Sequence, residues 1–203
     1  MKDELILSLD SPPKIQAFLD ATPYSAEDCY RCPATVLRDR KAHCFDGAVF
    51  AAAMLRRLGH PARIVDMLPN GRDDDHMFAP FRVDGYWGAV AKSNFSGLRY
   101  REPIFRSLRE LVLSYFEDYF NAAGEKTLRA YTVPLNLARF DAQRWQERDE
   151  TMDLIAGALD HIRKVPVLTP RMVAGLQPVD PLALAAGLLG SNPAGLFKIK
   201  DEG

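Results

Sequence analysis

The sequence has few cysteines, no excess of charge of one sign and no long apolar run, and each absence excludes a class of protein. It contains 3 cysteines among 203 residues, and this small odd number argues against a disulfide-stabilised secreted domain. Its 26 Lys and Arg residues balance 27 Asp and Glu residues, so no strong field attracts nucleic acid or an anionic membrane. No apolar run reaches the about 18 residues of a membrane span, and no secretory leader begins the sequence. These absences predict a cytoplasmic protein that binds neither nucleic acid nor membrane.

The composition that remains is that of a globular protein, for which the elements described below predict an α+β fold. With 47% hydrophobic and 26% charged residues, the chain is long enough to bury one substantial core. We expect one domain over residues 1–164. Residues 165–203, which are rich in Pro and Gly, are expected to form a C-terminal extension that packs on this domain or trails from it.

The clearest periodic segment predicts a helix over residues 44–58, and a cysteine stands at its first position. Its apolar residues recur mostly three and four residues apart, and Gly59 follows as a C-terminal cap would. An earlier helix is predicted through Ile15, Phe18 and Leu19. Later helices are predicted from Leu108 to Tyr119, from Met152 to Ile162, and after Asp180, a favoured N-terminal cap that precedes Pro181.

Strands follow the cysteine-bearing helix. Residues 62–68 are rich in apolar and β-branched residues and end at Pro69-Asn70-Gly71, which is typical of a strand closed by a turn. Residues 76–83 and 86–93 flank Asp84-Gly85, the kind of pair that favours a two-residue hairpin. The sequence therefore predicts a helix packed on an antiparallel sheet.

Cys44 and His76 are the candidate reactive residues. A helix N-terminus carries partial positive charge and free N–H groups, which favour a thiolate and can supply an oxyanion donor. Cys44 is expected at such an end, and His76 begins the second predicted strand, where an imidazole could serve as its base. We therefore expect the pKa of Cys44 to be lowered.

Three stretches of sequence resemble the transglutaminase-like superfamily of papain-like cysteine enzymes. They are "HCFDGA", "LRRLGHPARIVDM" and "HMFAPFRVDGYW", which lie in the family's order and spacing within residues 38–95. The resemblance implies a papain-like core, Cys44 as nucleophile, His76 as general base and no cofactor. It does not fix the reaction, since relatives include peptidases, amidases, cross-linking acyltransferases and non-catalytic modules.

One position departs from the family pattern. The residue that orients the histidine, usually Asp, lies four positions after the strand tryptophan, and Ala91 stands there in this sequence. A two-residue turn at Asp84-Gly85 would place Ser93 opposite His76, whereas Asn94 would need a one-residue bulge to face inward. We predict Asn94 as the third site residue because an amide oxygen is the better acceptor for an imidazole N–H, with Ser93 as the alternative.

Two metal-binding alternatives remain open. Cys29 and Cys32 form one C-x-x-C pair, which with His43 or Cys44 would make a structural zinc module. The acidic run at residues 73–75 favours a solvated turn and, less readily, metal ligands. No second cysteine pair exists, so we expect no metal.

The function predicted from these residues is acyl transfer through Cys44 from a peptide, a protein or a small amide. His76 would take the thiol proton and pass it to the leaving amine. The competing hypothesis is a non-catalytic peptide- or protein-binding module of the same fold, which Ala91 favours. The sequence leaves the oligomeric state open.

Overall fold

The computed structural model describes residues 2–198, and in it helices pack on an antiparallel sheet. The helix predicted from Leu108 to Tyr119 ends at Leu113, and a separate 3₁₀ turn follows at Phe116–Asp118. The helices are α1 (Lys2–Ser8), α2 (Pro12–Asp20), α3 (Pro33–Asp39), α4 (Cys44–Arg57), α5 (Leu108–Leu113), α6 (Glu150–His161), α7 (Pro170–Ala174) and α8 (Pro181–Leu188). The strands are β1 (Arg63–Pro69), β2 (His76–Val83), β3 (Tyr86–Val90), β4 (Arg101–Phe105), β5 (Leu128–Thr132), β6 (Leu135–Asn136) and β7 (Lys164–Pro166). The α+β fold class is confirmed.

Helix α4 is buried along most of its length. Every residue from Cys44 to Leu55 is buried. The three consecutive alanines at 51–53 have small side chains, so neighbouring elements can approach the helix closely. The helix contacts α2, α3, β1 and β2. This burial stabilises α4 more than intrinsic helix propensity would, and it holds Cys44 at a fixed place beside the sheet.

The sheet has the order β4-β3-β2-β1-β5-β7 among the described residues, with β6 paired to β1 at its side. The predicted hairpin is confirmed: Val83 pairs with Tyr86, and both turn residues have positive φ, 51° at Asp84 and 86° at Gly85, as a type I′ turn requires. At its other end, strand β2 begins at His76. The residue before it, Asp75, accepts a hydrogen bond from Cys44 at the N-terminus of α4.

Strand β3 is shorter than the sequence predicts: it ends at Val90, and the next residue is bound by Gln16 of α2. The side chain of Gln16 accepts a hydrogen bond from the Ala91 N–H (3.0 Å) and donates one to the Ala91 carbonyl (2.9 Å). The chain beyond Val90 is therefore tied to α2 and leaves the sheet before Ser93 can pair with His76.

A buried lysine joins the same region to α2 and α4. Lys92 is 4% exposed, and its Nζ donates to the carbonyls of Leu19 (2.9 Å) and Thr22. Burial lowers its pKa to about 8. A Cβ on Gly47 would lie 2.2 Å from the Lys92 Cβ, so only glycine fits at that position of α4.

The C-terminal extension begins inside the sheet. The boundary expected between residues 164 and 165 falls within β7, which pairs with β5, and residues 1 and 199–203 of the expected spans lie outside the described residues. The predicted helix after Asp180 is present as α8, and the Asp180 carboxylate caps it by accepting from two backbone N–H groups. Within residues 2–198, no helix is both long and apolar enough to cross a membrane.

Candidate active site

Cys44 is the first residue of α4, and the residues around it fix where that helix starts. His43 is the N-terminal cap: its Nδ1 accepts from the Phe45 N–H at 3.2 Å, while the Asp46 carboxylate accepts from the His43 N–H at 3.3 Å. Asp46 also accepts from the Arg31 N–H at 2.8 Å. This reciprocal arrangement resembles a capping box and leaves the Cys44 backbone N–H at the free end of the helix.

The thiol of Cys44 is buried among backbone groups and carboxylates. It is 8% exposed, and its Sγ lies 3.8 Å from the Asp75 carbonyl oxygen, to which it donates. Burial raises the pKa of Cys44 well above its usual range, and the nearby carboxylates of Asp75, Asp74 and Asp66 add to this effect. The expected lowering of the Cys44 pKa is therefore wrong, because desolvation and negative charge outweigh the helix dipole.

The imidazole of His76 is oriented by a backbone carbonyl. His76 is 4% exposed, and its Nε2 lies 2.8 Å from the carbonyl oxygen of Leu98. A carbonyl can only accept, so the proton sits on Nε2 and Nδ1 keeps a free lone pair. Burial lowers the pKa of His76 to about 4, which keeps the ring neutral at neutral pH and able to accept a proton.

Cys44 and His76 border one small cavity of about 40 Å³, together with Tyr24 and Leu98. Among the bonds of residues 2–198, none joins the Cys44 thiol directly to the His76 ring. An imidazole with a free lone pair and a thiol thus border the same cavity, and the thiol donates to the Asp75 carbonyl.

Asn94 lies at this cavity but does not orient His76. Its side-chain Nδ2 donates to the Asn192 carbonyl at 2.9 Å, and its Oδ1 accepts from the Asn192 N–H at 2.7 Å. The alternative, Ser93, accepts at its Oγ from the Phe95 N–H at 3.0 Å. The contact predicted for Asn94 is therefore made by the Leu98 carbonyl instead, a backbone group that side-chain types in a sequence cannot reveal.

Tyr24 is a site residue that the sequence analysis missed. It lines both cavities that Cys44 lines, and burial, followed by the charge that Cys44 can carry, raises the pKa of Tyr24 above its usual range. A short parallel bridge between Tyr24 and Ala42 brings the tyrosine to this place. A lone aromatic residue in a loop gives no sequence signal for such a position.

A second, larger cavity of about 800 Å³ opens above Cys44 and is strongly acidic. No lysine or arginine is among the described residues that line it. Burial raises the pKa of Asp75 to about 7. The acidic lining residues are Glu27, Asp28, Asp74, Asp75, Asp149, Glu150 and Asp153.

The two other cysteines have separate environments. Cys29 is exposed and Cys32 is buried; the Cys32 N–H donates to the Asp149 carboxylate at 2.7 Å, and its Sγ contacts the Thr35 hydroxyl at 3.5 Å. Nowhere in residues 2–198 do three or more His, Cys, Asp or Glu side chains form a group that could hold a metal ion. The structure offers no support for the zinc alternative.

The chain is similar to one protein family and to several solved structures. Residues 14–91 match the family model of the transglutaminase-like superfamily, and no curated protein matches the chain. Among solved structures, the chain is similar to LapG of Legionella pneumophila. EGTA-treated LapG is 17% identical, with 54% of this chain and 64% of LapG covered and a TM-score of 0.37.

Two further LapG structures are similarly distant. Calcium-bound LapG is 18% identical, with 44% of this chain and 59% of LapG covered and a TM-score of 0.35. A third LapG structure is 14% identical, with coverages of 67% and 71% and a TM-score of 0.41. The chain thus spans less than two thirds of the first two LapG chains.

Proposed function

We propose that the chain is a cysteine enzyme that acts on carboxamide or peptide bonds, and the match of residues 14–91 to the transglutaminase-like family model supports this. The observation that carries the proposal is the cavity that Cys44 shares with His76, in which the Leu98 carbonyl holds the imidazole proton on Nε2. The substrate is a peptide, a protein or a small amide, and the free thiols suit the cytoplasm as the compartment.

In the proposed reaction, the Sγ of Cys44 attacks the carbonyl carbon while its proton passes to Nδ1 of His76. The C–N bond then breaks, the amine leaves with that proton, and a thioester to Cys44 remains. Water or a second amine attacks the thioester, releases the acyl group as acid or amide, and returns a proton to sulfur. The Leu98 carbonyl would stabilise the imidazolium that forms in both steps, because its oxygen accepts from the Nε2–H.

Two donors are available for the developing oxyanion. The Cys44 N–H lies at the free end of α4, where the helix dipole favours negative charge. Tyr24 lines both cavities that Cys44 lines, and its hydroxyl keeps its proton, since its pKa is raised. We assign Tyr24 the role of second oxyanion donor; the loss of one such donor typically costs about 100-fold in rate.

Acetylation by a small activated ester, p-nitrophenyl acetate, tests the proposal. Intact mass and peptide mapping should find one acetyl group on Cys44, with none in Cys44→Ser. His76→Ala should slow acetylation by about 100-fold or more, the usual contribution of a general base, and Cys29→Ser is the matched control with wild-type rate. Acetylation of Cys29 alone would contradict a Cys-His mechanism, as would an acetylation rate that His76→Ala leaves unchanged.

A second candidate function is a non-catalytic peptide-binding module. The raised pKa of Cys44 and the lowered pKa of His76 favour it, because both oppose formation of a thiolate-imidazolium pair. For such a module Cys44→Ser would leave peptide binding and the cellular role intact. For the enzyme the same change would abolish product formation while the fold is retained.

A further inference from the structure

The C-terminal segment of the chain lies across the mouth of the Cys44 cleft. Residues Ala194 to Phe197 line the large acidic cavity, and Gly195 and Phe197 also line the small cavity that Cys44 and His76 border. They begin within the short 3₁₀ helix Pro193–Gly195. The candidate active site is therefore walled in part by a piece of the extension.

Asn192 anchors this segment directly to residues of the site. Its backbone N–H and carbonyl exchange two hydrogen bonds with the Asn94 side chain, at 2.7 and 2.9 Å. Its own side chain donates to the Tyr24 carbonyl at 3.2 Å and accepts from the Ala194 N–H at 3.1 Å. An amide side chain that pairs with both main-chain groups of one residue is a way to bind peptide backbone regardless of the side chain that residue carries.

Gly195 fits against Tyr24 because it lacks a side chain. A Cβ at this position would lie 2.9 Å from Cδ1 and from Cε1 of the Tyr24 ring and 3.4 Å from the Asn94 Nδ2. Tyr24 lines both cavities together with Cys44. The segment thus contacts the site at a point where only glycine is accommodated without movement of the tyrosine.

The preceding part of the extension is attached independently. The Ser96 N–H donates to the Gly187 carbonyl at 3.0 Å, the Ser96 hydroxyl donates to the Ala186 carbonyl at 2.8 Å, and Gly187 packs against the Phe120 ring. Helix α8 can therefore stay in place while residues 192–197 leave the cleft. The hydrogen bonds by which Asn192 holds the segment are individually weak.

We propose that the Cys44 cleft is a peptide-binding site and that residues 192–197 are its intramolecular ligand, which restricts access to the thiol. The ligand class is a peptide whose main chain pairs with Asn94 and which carries glycine at the contact with Tyr24. A bulky substrate reaches Cys44 only after the segment leaves, whereas a small reagent enters beside it. The inference does not require Cys44 to be catalytic, since it concerns access to the cleft.

Labelling of full-length variants with a bulky polyethylene-glycol maleimide tests the proposal. In Gly195→Val the added side chain meets the Tyr24 ring, and Asn192→Ala removes the bond to the Tyr24 carbonyl. We expect the double variant to label at Cys44 at least about tenfold faster than the wild type, which corresponds to about 1.4 kcal/mol. Leu182→Ala is the matched control, because Leu182 is 79% exposed on α8 and is not a lining residue of either cavity.

A peptide supplied in trans completes the test. A synthetic peptide of residues 191–198 should slow the labelling of the double variant, and the same peptide with valine in place of the glycine should not. Amide hydrogen exchange over residues 192–197 should be faster in the double variant than in the wild type. If Cys44 is labelled at the same rate in the double variant and in the wild type, the proposal is overturned, whatever the hydrogen exchange of residues 192–197 shows. It is also overturned if the two peptides slow the labelling equally.

The test remains distinct from that of the proposed function. Maleimide labelling requires only an accessible thiol, so a failure of the segment to control access leaves the acetylation result unaffected. Conversely, a protein that labels as expected but is never acetylated at Cys44 would be a peptide-binding module whose ligand is its own C-terminal segment.

Discussion

The Nε2–H of His76 donates to the carbonyl oxygen of Leu98 across 2.8 Å, and this bond supplies the orientation that a carboxylate supplies in the family pattern. Orientation by a backbone carbonyl fixes the ring tautomer without adding a negative charge to a site that already contains several carboxylates. It also leaves the Asn94 side chain free to bind Asn192.

Asn94→Ala should therefore change access to the cleft more than it changes the chemistry. Because the Asn94 amide does not contact His76, we expect acetylation by the small ester to change by less than about twofold, where loss of an orienting bond would cost about tenfold. Labelling by the bulky maleimide should increase, since two bonds to the C-terminal segment are lost. A tenfold fall in acetylation with unchanged maleimide labelling would restore Asn94 as the orienting residue.

The order of thiol alkylation follows from burial. Cys29 is exposed whereas Cys44 is buried and has a raised pKa, so iodoacetamide near neutral pH should modify Cys29 first. The rate at Cys44 should continue to increase as the pH rises beyond about 8.5, the usual thiol pKa. Peptide mapping across a pH series measures both rates. Preferential labelling of Cys44 near pH 6 would show instead that the thiolate is stabilised in solution.

The acidic cavity should discriminate between reagents by charge. The carboxylates that line it concentrate cations and repel anions, so a cationic methanethiosulfonate should react with Cys44 faster than an anionic one. After normalisation to a free thiol, we expect a ratio of about tenfold or more at low salt. The ratio should shrink near 1 M salt, where the Debye length is about 3 Å. A ratio near one at low salt would mean that the carboxyls carry little charge.

Two glycine substitutions should have opposite effects on stability. Gly47→Ala places a Cβ 2.2 Å from the Lys92 Cβ, and overpacking of this kind costs about 1–3 kcal/mol of unfolding free energy. Gly157→Ala, in α6, meets nothing within 4 Å and should gain up to about 1 kcal/mol from helix propensity. Urea unfolding of both variants provides the comparison. A neutral Gly47→Ala would mean that Lys92 has room to move.

Asp66 should make the stability depend on pH. Burial, followed by the charge of Asp75, raises the pKa of Asp66 to about 8, and its Oδ1 has no hydrogen-bond partner among the described residues. The folded state therefore keeps a proton that the unfolded chain releases near pH 4, so this group lowers the unfolding free energy as the pH rises from about 4 to about 8. Above about pH 8, the pKa of Asp66 in the folded state, the unfolding free energy does not fall further through this group.

Asp66→Asn should remove this loss. We expect the variant to be more stable than the wild type near pH 8.5, with a smaller difference near pH 5.5, in urea unfolding at about those two values. Asp153→Asn, which changes an exposed carboxyl on α6, serves as the control with equal effects at both values. A difference that is the same at both values for Asp66→Asn would show that its pKa is not raised.

The sequence by itself determined the core of the fold and the two candidate reactive residues. The apolar period of residues 44–58 is a local property, and it predicted α4 to within one residue of its observed end at Arg57. The turn chemistry of Asp84-Gly85 is equally local, and it fixed the register in which Val83 meets Tyr86. Cys44 and His76 were identifiable because both stand at the ends of such predictable elements.

The tertiary structure alone decided what surrounds those residues. Gln16 binds the backbone of Ala91 from 75 positions away, and Asn192 pairs with Asn94 from 98 positions away; neither contact leaves a periodic trace in the sequence. The pKa of Cys44 depends on burial and on carboxylates of other elements, which outweigh the local helix dipole from which a lowered pKa was predicted. The orienting group of His76 is a main-chain carbonyl, which every residue possesses, so only the fold could select Leu98.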